Sequence, residues 1–313
     1  MALLLVYALL TVVVMVVIIV AIARLTQLNP DDGDSPPAAF TAVARWTTSW
    51  RWLGLAVGFA VGGWAFSRTE AGLGRLALLA PAIAAAGVLL GTTIGEATAQ
   101  PRRGTQRTAS LMTRTWSDLL PRARTAIVGG GLVLLTTLLT LGWLAGSADD
   151  QGRPGRSLTA TCVETLPGLG SVTTTRSNGP WPGSFYAVPA ALAVGACLLL
   201  ALLGAGAIFR RANPSSATDT LVLLLRRNAI RNVLNALGVV LFGMAAPTAL
   251  FIASAAGGND CIRGGDAFAR ILLLVAAAAT IVGFALLAQL LIPARLPTSP
   301  PMLGRSRADQ DAR

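Results

Sequence analysis

The sequence predicts an all-α, polytopic transmembrane helix bundle with seven spans, and three observations predict it. The chain is 54% hydrophobic and only 12% charged, and its mean hydropathy is +0.65. A soluble domain of 313 residues does not bury that much apolar surface. Apolar runs long enough to cross a bilayer, which takes about 20 residues, recur along the chain. The arginines then fall mostly on alternate sides of those runs.

The seven runs are about 2–23, 52–66, 76–95, 126–146, 187–209, 233–256 and 271–292. They define one bundle domain over 1–293, followed by a tail, 294–313, that reads as disordered and cytoplasmic. The first run has no basic residue before it and Arg24 after it. It lacks the basic n-region and small-residue cleavage site of a secretory signal, so it reads as a retained anchor. The second run, "WLGLAVGFAVGGWAF", is short, but Arg51 and Arg68 bracket it, and Trp50, Trp52 and Trp64 stand like interfacial anchors. Runs two and three carry glycine at helical spacing: Gly54, Gly58 and Gly62, then Gly87, Gly91 and Gly95. Residues four apart share a helix face, and missing side chains let two backbones approach, so spans two and three are expected to pack closely. Span four adds Gly142 and Gly146; Pro81 and Pro247 are expected to kink spans three and six.

Orientation follows from the arginines. With the N-terminus outside, 18 of the 25 basic residues, all arginine, lie on the cytoplasmic side, as the positive-inside rule requires. The C-terminus is then cytoplasmic, and the largest outer loop is 147–186. In that loop "SLTATCVETLPGLGSVTTTR" offers two strand-prone runs around a Pro/Gly turn, which predicts a small hairpin. Trp181, Phe185 and Tyr186 read as interfacial anchors at its end. On the cytoplasmic side, "ANPSSATDTLVLLLRRNAIRNV" reads as an interfacial amphipathic helix ahead of span six. Asp31, Asp32 and Asp34 lack the remaining ligands of a calcium loop and read as a solvated turn.

Absent residue types narrow the chemistry. Without lysine or histidine there is no Schiff base, no P-loop lysine, no Ser-His hydrolase and no histidine-ligated zinc or haem. Three scattered cysteines build no four-thiolate cluster. No catalytic residue, metal ligand or cofactor is assigned. No charge is expected near a span centre, which argues against a proton-coupled pump. Glu96 with Arg102, Arg103 and Arg107 forms a candidate phosphate or lipid-headgroup contact, although orientation and attraction to anionic headgroups explain those arginines as well. Cys162 and Cys261 fall in outer loops on the same, oxidising side and are expected to form a disulfide. Cys197 lies within span five as a free, buried thiol.

Two segments, "GEATAQPRRGTQRTASLMTRTWSDLLPR" (Gly95 to Arg122) and "GPWPGSFYAVP" (Gly179 to Pro189), resemble parts of an uncharacterised family of actinobacterial multi-pass membrane proteins. The resemblance implies an actinobacterial plasma membrane and carries no activity. The expected function is that of a non-enzymatic accessory or interaction protein in the plasma membrane. The alternatives are a small permease or transporter component and a membrane enzyme acting on a lipid-linked substrate. The expected partners are anionic headgroups and a membrane protein or a second copy of the chain, with no nucleic acid.

Overall fold

A computed structural model describes residues 38–67, 75–98, 119–166, 170–210 and 219–291. Among them are six helices and one hairpin: α1 (Ala38–Ser67), α2 (Arg75–Thr98), α3 (Arg122–Ala145), β1 (Leu158–Leu166), β2 (Gly170–Asn178), α4 (Ser184–Arg210), α5 (Asp219–Gly257) and α6 (Gly265–Leu291). Five are long and apolar enough to cross a membrane, within Leu79–Thr98, Arg122–Ala145, Ser184–Arg210, Leu223–Gly257 and Gly265–Leu291. The run 2–23, the aspartates at 31–34 and the tail 294–313 lie outside the described residues.

Helix α5 is the centre of the bundle. Ala236, Val240, Leu241, Met244, Ala245, Ala249 and Ile252 are all but inaccessible along it, and α2, α3, α4 and α6 pack around it. Three alanines stand among these seven, and small side chains let neighbouring helices approach closely, which is how helices associate in lipid. The polar side chains on the spans mostly satisfy themselves. Thr92, Thr137, Thr248 and Thr280 each donate to the carbonyl four residues earlier, at 2.8–2.9 Å, which removes the cost of a bare hydroxyl.

Helices α1 and α2 run antiparallel with their backbones nearly in contact. A methyl group placed on Gly58 would meet the Ala84 carbonyl, one on Gly87 would lie 2.6 Å from the Gly58 Cα, and one on Gly62 would lie 2.8 Å from the Ala80 carbonyl. Gly54 and Gly91 face each other in the same way, and Gly95 faces Thr47 and the Trp50 Cβ. All six of these glycines therefore lie in one interface, and at five of them, Gly54, Gly58, Gly62, Gly87 and Gly91, a side chain would collide with the facing backbone. By contrast, nothing lies within 4 Å of a methyl placed on Gly63, on another face of the same helix.

The structure corrects three expectations. The second run is not a short helix bracketed by Arg51: it is the C-terminal half of the 30-residue α1, and Arg51 lies mid-helix. Nor is there a separate interfacial helix before span six, since Asp219–Gly257 is one continuous helix of 39 residues. The physical reason is the same in both places. Hydropathy marks where a segment turns polar, but a helix continues until something breaks it. Neither Ala38–Trp52 nor Asp219–Leu237 contains a glycine or proline. Third, Trp181 and Tyr186 are not lipid-facing anchors. Both are buried within the protein, and the Trp181 indole N–H donates to the Gly142 carbonyl at 2.7 Å.

Candidate functional site

The two ends of the bundle differ sharply in charge. Among described side chains, the end that carries the hairpin holds Arg153, Arg156, Arg176, Arg263 and Arg270 against Asp149, Asp150, Glu164, Asp260 and Asp266. The opposite end holds Arg45, Arg51, Arg122, Arg124, Arg210, Arg226, Arg227 and Arg231 against Glu96 alone. One end is balanced and the other is strongly cationic.

At the cationic end the charge reaches into the packed interior. Arg51 on α1 donates from Nη2 to Glu96 Oε1 on α2 at 2.7 Å, with both side chains over nine-tenths buried. Arg226 is also buried. Arg231 on α5 donates to Asn228 Oδ1 at 2.6 Å and lies within electrostatic reach of Arg124 on α3 and of Arg51. The next residue, Asn232, and Asn235 one turn deeper are 2% and 0% exposed. Several polar atoms here have no hydrogen-bond partner: Arg51 Nε, Arg231 Nε, Asn232 Nδ2, Thr93 Oγ1 and both amide atoms of Asn235. The Arg51–Glu96 pair lies near the end of α2 rather than at a span centre, and the sequence does not mark it as a pair. Hydropathy could not show that pair, because Arg51 looked like a span boundary. Arg102, Arg103 and Arg107 lie outside the described residues; Glu96 is taken up by Arg51.

At the balanced end, β1 and β2 pair antiparallel, with Leu158 opposite Asn178 and Leu166 opposite Gly170. A two-stranded hairpin is marginal on its own, and this one is fastened at several points to the α5–α6 turn. Cys162 and Cys261 are joined by a disulfide with Cα atoms 5.0 Å apart. Asn259, buried, donates to the Leu158 and Arg176 carbonyls at 3.4 and 3.3 Å. Arg176 pairs with Asp260 at 2.6 Å, and Asn178 donates to the Ala255 carbonyl at 3.4 Å. Cys197 is a buried free thiol. The fastenings other than the disulfide carried no sequence signal, because asparagine and aspartate in a Gly-Asn-Asp turn serve equally well as turn formers.

Strand alternation then sorts the hairpin into two faces. Ala160, Cys162 and Thr174 face the bundle and are half-buried, while Thr159, Thr161, Val163, Thr173, Thr175 and Ser177 face away and are exposed. Hydroxyls on this outer face meet across the strands, Thr161 with Thr175 at 3.4 Å and Thr159 with Ser177 at 3.4 Å. Below the hairpin, the segment 146–157 forms a compact base. Ser157 donates to the Ala148 carbonyl at 2.6 Å, and the Arg156 guanidinium lies 3.8 Å over the Phe185 ring. Desolvation works to raise the Asp149 carboxyl, but the backbone N–H and guanidinium of Arg153 and the backbone N–H of Gln151 outweigh it and hold the group below its ordinary value.

A third feature is a groove of about 460 Å³ between α3 and α4, lined by Leu132, Leu139, Trp143, Ala191 and Leu198 among others. It opens sideways and is almost wholly apolar, as a lipid-facing seam would be. Comparison with known protein families, with curated proteins and with solved structures gives no match, so the functional reading rests on these three features.

Proposed function

We propose that the chain is a seven-span accessory protein of a bacterial plasma membrane, with its N-terminus outside and its C-terminus cytoplasmic. In this reading it acts without catalysis, by presenting the hairpin to another protein outside the membrane. The orientation is supported by the charge difference between the ends: the cationic end belongs in the cytoplasm, which puts the disulfide on the oxidising side. The all-arginine basic complement supports a high-GC bacterial source such as an actinobacterium.

The observation that carries the interaction role is the braced hairpin. A disulfide, a buried asparagine and an ion pair hold nine-residue strands rigid while their outer face covers nothing. Holding an exposed surface rigid lowers the ordering cost of binding to it, and the two unpaired strand edges offer backbone groups for a partner strand.

The test is photo-crosslinking in intact cells. A photoreactive residue in place of Thr161 or Thr175, on the outer face, should give a discrete adduct with one other protein. The same residue in place of Val133, an exposed position on α3, should give lipid adducts or none. Failure of both hairpin positions to crosslink any protein would contradict the role.

A further inference from the structure

We propose that the groove between α3 and α4 is the seat of the chain's own apolar run 2–23, with Tyr7 facing Thr140 and Thr11 facing Thr136. The proposal rests on the seven-span reading, in which that run crosses the membrane from outside to inside.

The first observation is the shape and place of the groove. On α3 its side chains run from Leu132 to Leu144, and on α4 from Ala187 to Leu198. Both stretches lie in the halves of their helices nearest the hairpin, and at 1.5 Å per residue the groove is about 18 Å long. Ala187, Ala191 and Gly195 keep its α4 wall low. A methyl placed on Gly195, or on Gly129 further along the same face of α3, meets nothing within 4 Å. Glycine weakens a helix interior, and in a membrane it serves the close approach of another helix. Gly131, Gly142 and Gly204 on the inner faces of α3 and α4 have such neighbours in Phe242, Pro182 and Thr93. Gly129 and Gly195 face open space, and the bulky Val, Ile and Leu side chains of the run 2–23 are the complement of a low wall.

The second observation is a match of polar positions. Thr136 and Thr140, one turn apart on α3, line the groove and are exposed. Among the described residues neither makes a hydrogen bond, whereas Thr137 beside them donates to the Val133 carbonyl at 2.9 Å. The run 2–23 contains two polar side chains, Tyr7 and Thr11, and at that spacing they share one helix face. Counted from residue 2, its outer end, they lie five and nine positions in. Counted from Ala145, the outer end of α3, Thr140 and Thr136 also lie five and nine positions in. The run and α3 are antiparallel in this orientation, so both pairs come level at once. Hydroxyls paired across two helices hold them together where no water competes.

The third observation is the tether. Residues 24–37 join the run to α1 and, at 3.3–3.6 Å per residue, reach at most about 45–50 Å. Helix α1 packs on α2, α2 on α4, and α4 on α3. The groove therefore lies about three interaxial distances of 8–10 Å from α1, within the tether's reach. A tethered helix meets the groove at a high effective concentration, an advantage that a separate protein lacks.

The experiment is disulfide trapping in membranes, using the full chain with its native disulfide, Cys197→Ala, and a protease site inserted between Asp34 and Ser35. After oxidation and cleavage, the two fragments should stay joined in Thr11→Cys with Thr136→Cys, and in Tyr7→Cys with Thr140→Cys. They should separate in Thr11→Cys with Leu274→Cys, an exposed position on α6 that lies nine positions in from Gly265 and so at the same depth. Cysteine is close to threonine in size and the groove positions are exposed, so these variants fold as wild type does. Separation in all three, or equal joining in all three, overturns the seat. A disulfide between two copies of the chain overturns it as well, since a second copy then fills the groove. Labelling of Ala2→Cys by a membrane-impermeant thiol reagent tells the two readings apart. Labelling from outside without trapping removes the seat and leaves the span; absence of labelling removes both.

Discussion

Replacing Cys162 with serine should release the hairpin from the bundle without unfolding the helices. The bond closes a loop spanning 99 positions, for which chain entropy alone gives about 4–5 kcal/mol. That figure is an upper bound here, because α3 to α6 already hold the two ends near each other. A loss of only about 2 kcal/mol would still raise the opened population roughly thirtyfold. The measurement is limited proteolysis of purified protein in detergent. Cleavage between β1 and β2 should accelerate by that order in Cys162→Ser and in reduced wild type, while the fragments containing α3 and α5 stay intact. The Asn259 and Asp260 contacts should keep some protection, so Asn259→Ala in the Cys162→Ser background should accelerate cleavage further. Equal cleavage of wild type and Cys162→Ser would mean that the polar contacts alone hold the hairpin.

The second large effect is expected at Glu96. Glu96→Gln changes almost no volume but leaves Arg51 buried without a counter-charge, a change that typically costs 3–5 kcal/mol. The loss should appear as a large drop in unfolding temperature in detergent. Arg51→Leu should be nearly as harmful, since it strands the carboxylate instead. The double variant Arg51→Leu, Glu96→Leu should recover much of the loss, because a buried ion pair replaced by apolar side chains is often close to neutral. Additive losses in the double variant would show that the two residues act separately, against the 2.7 Å contact between them.

The membrane character of the chain was legible in the sequence because it is a matter of composition, which needs no three-dimensional knowledge. The hairpin was legible too, since β-branched residues flank a Pro/Gly turn at 167–170. So was the pairing of Cys162 with Cys261, because counting arginines had already put both on one side. The glycine rows at Gly54–Gly62 and Gly87–Gly95 could be read as a close-packing surface because their spacing matches a helical turn. What escaped was whatever depended on long-range contacts. Arg51 looked like a boundary marker until Glu96, 45 positions away, was seen to bind it. Asn232 and Asn235 carry no sequence signal that sets them apart from the other polar residues of their helix. Only the surrounding helices show that they are buried, with Asn232 Nδ2 and both amide atoms of Asn235 lacking partners. Helix ends were misjudged at α1 and α5 because apolar run and helix were treated as the same length.

The central claim is that the cationic end faces the cytoplasm and the hairpin end faces outside. It is tested most directly by fusing a reporter active only in the cytoplasm at two places in the full chain. Placed after Arg313, the reporter should be active; placed in the turn between β1 and β2, it should be silent. An active reporter in the hairpin turn and a silent one after Arg313 would contradict the orientation, and with it the outward presentation of the hairpin.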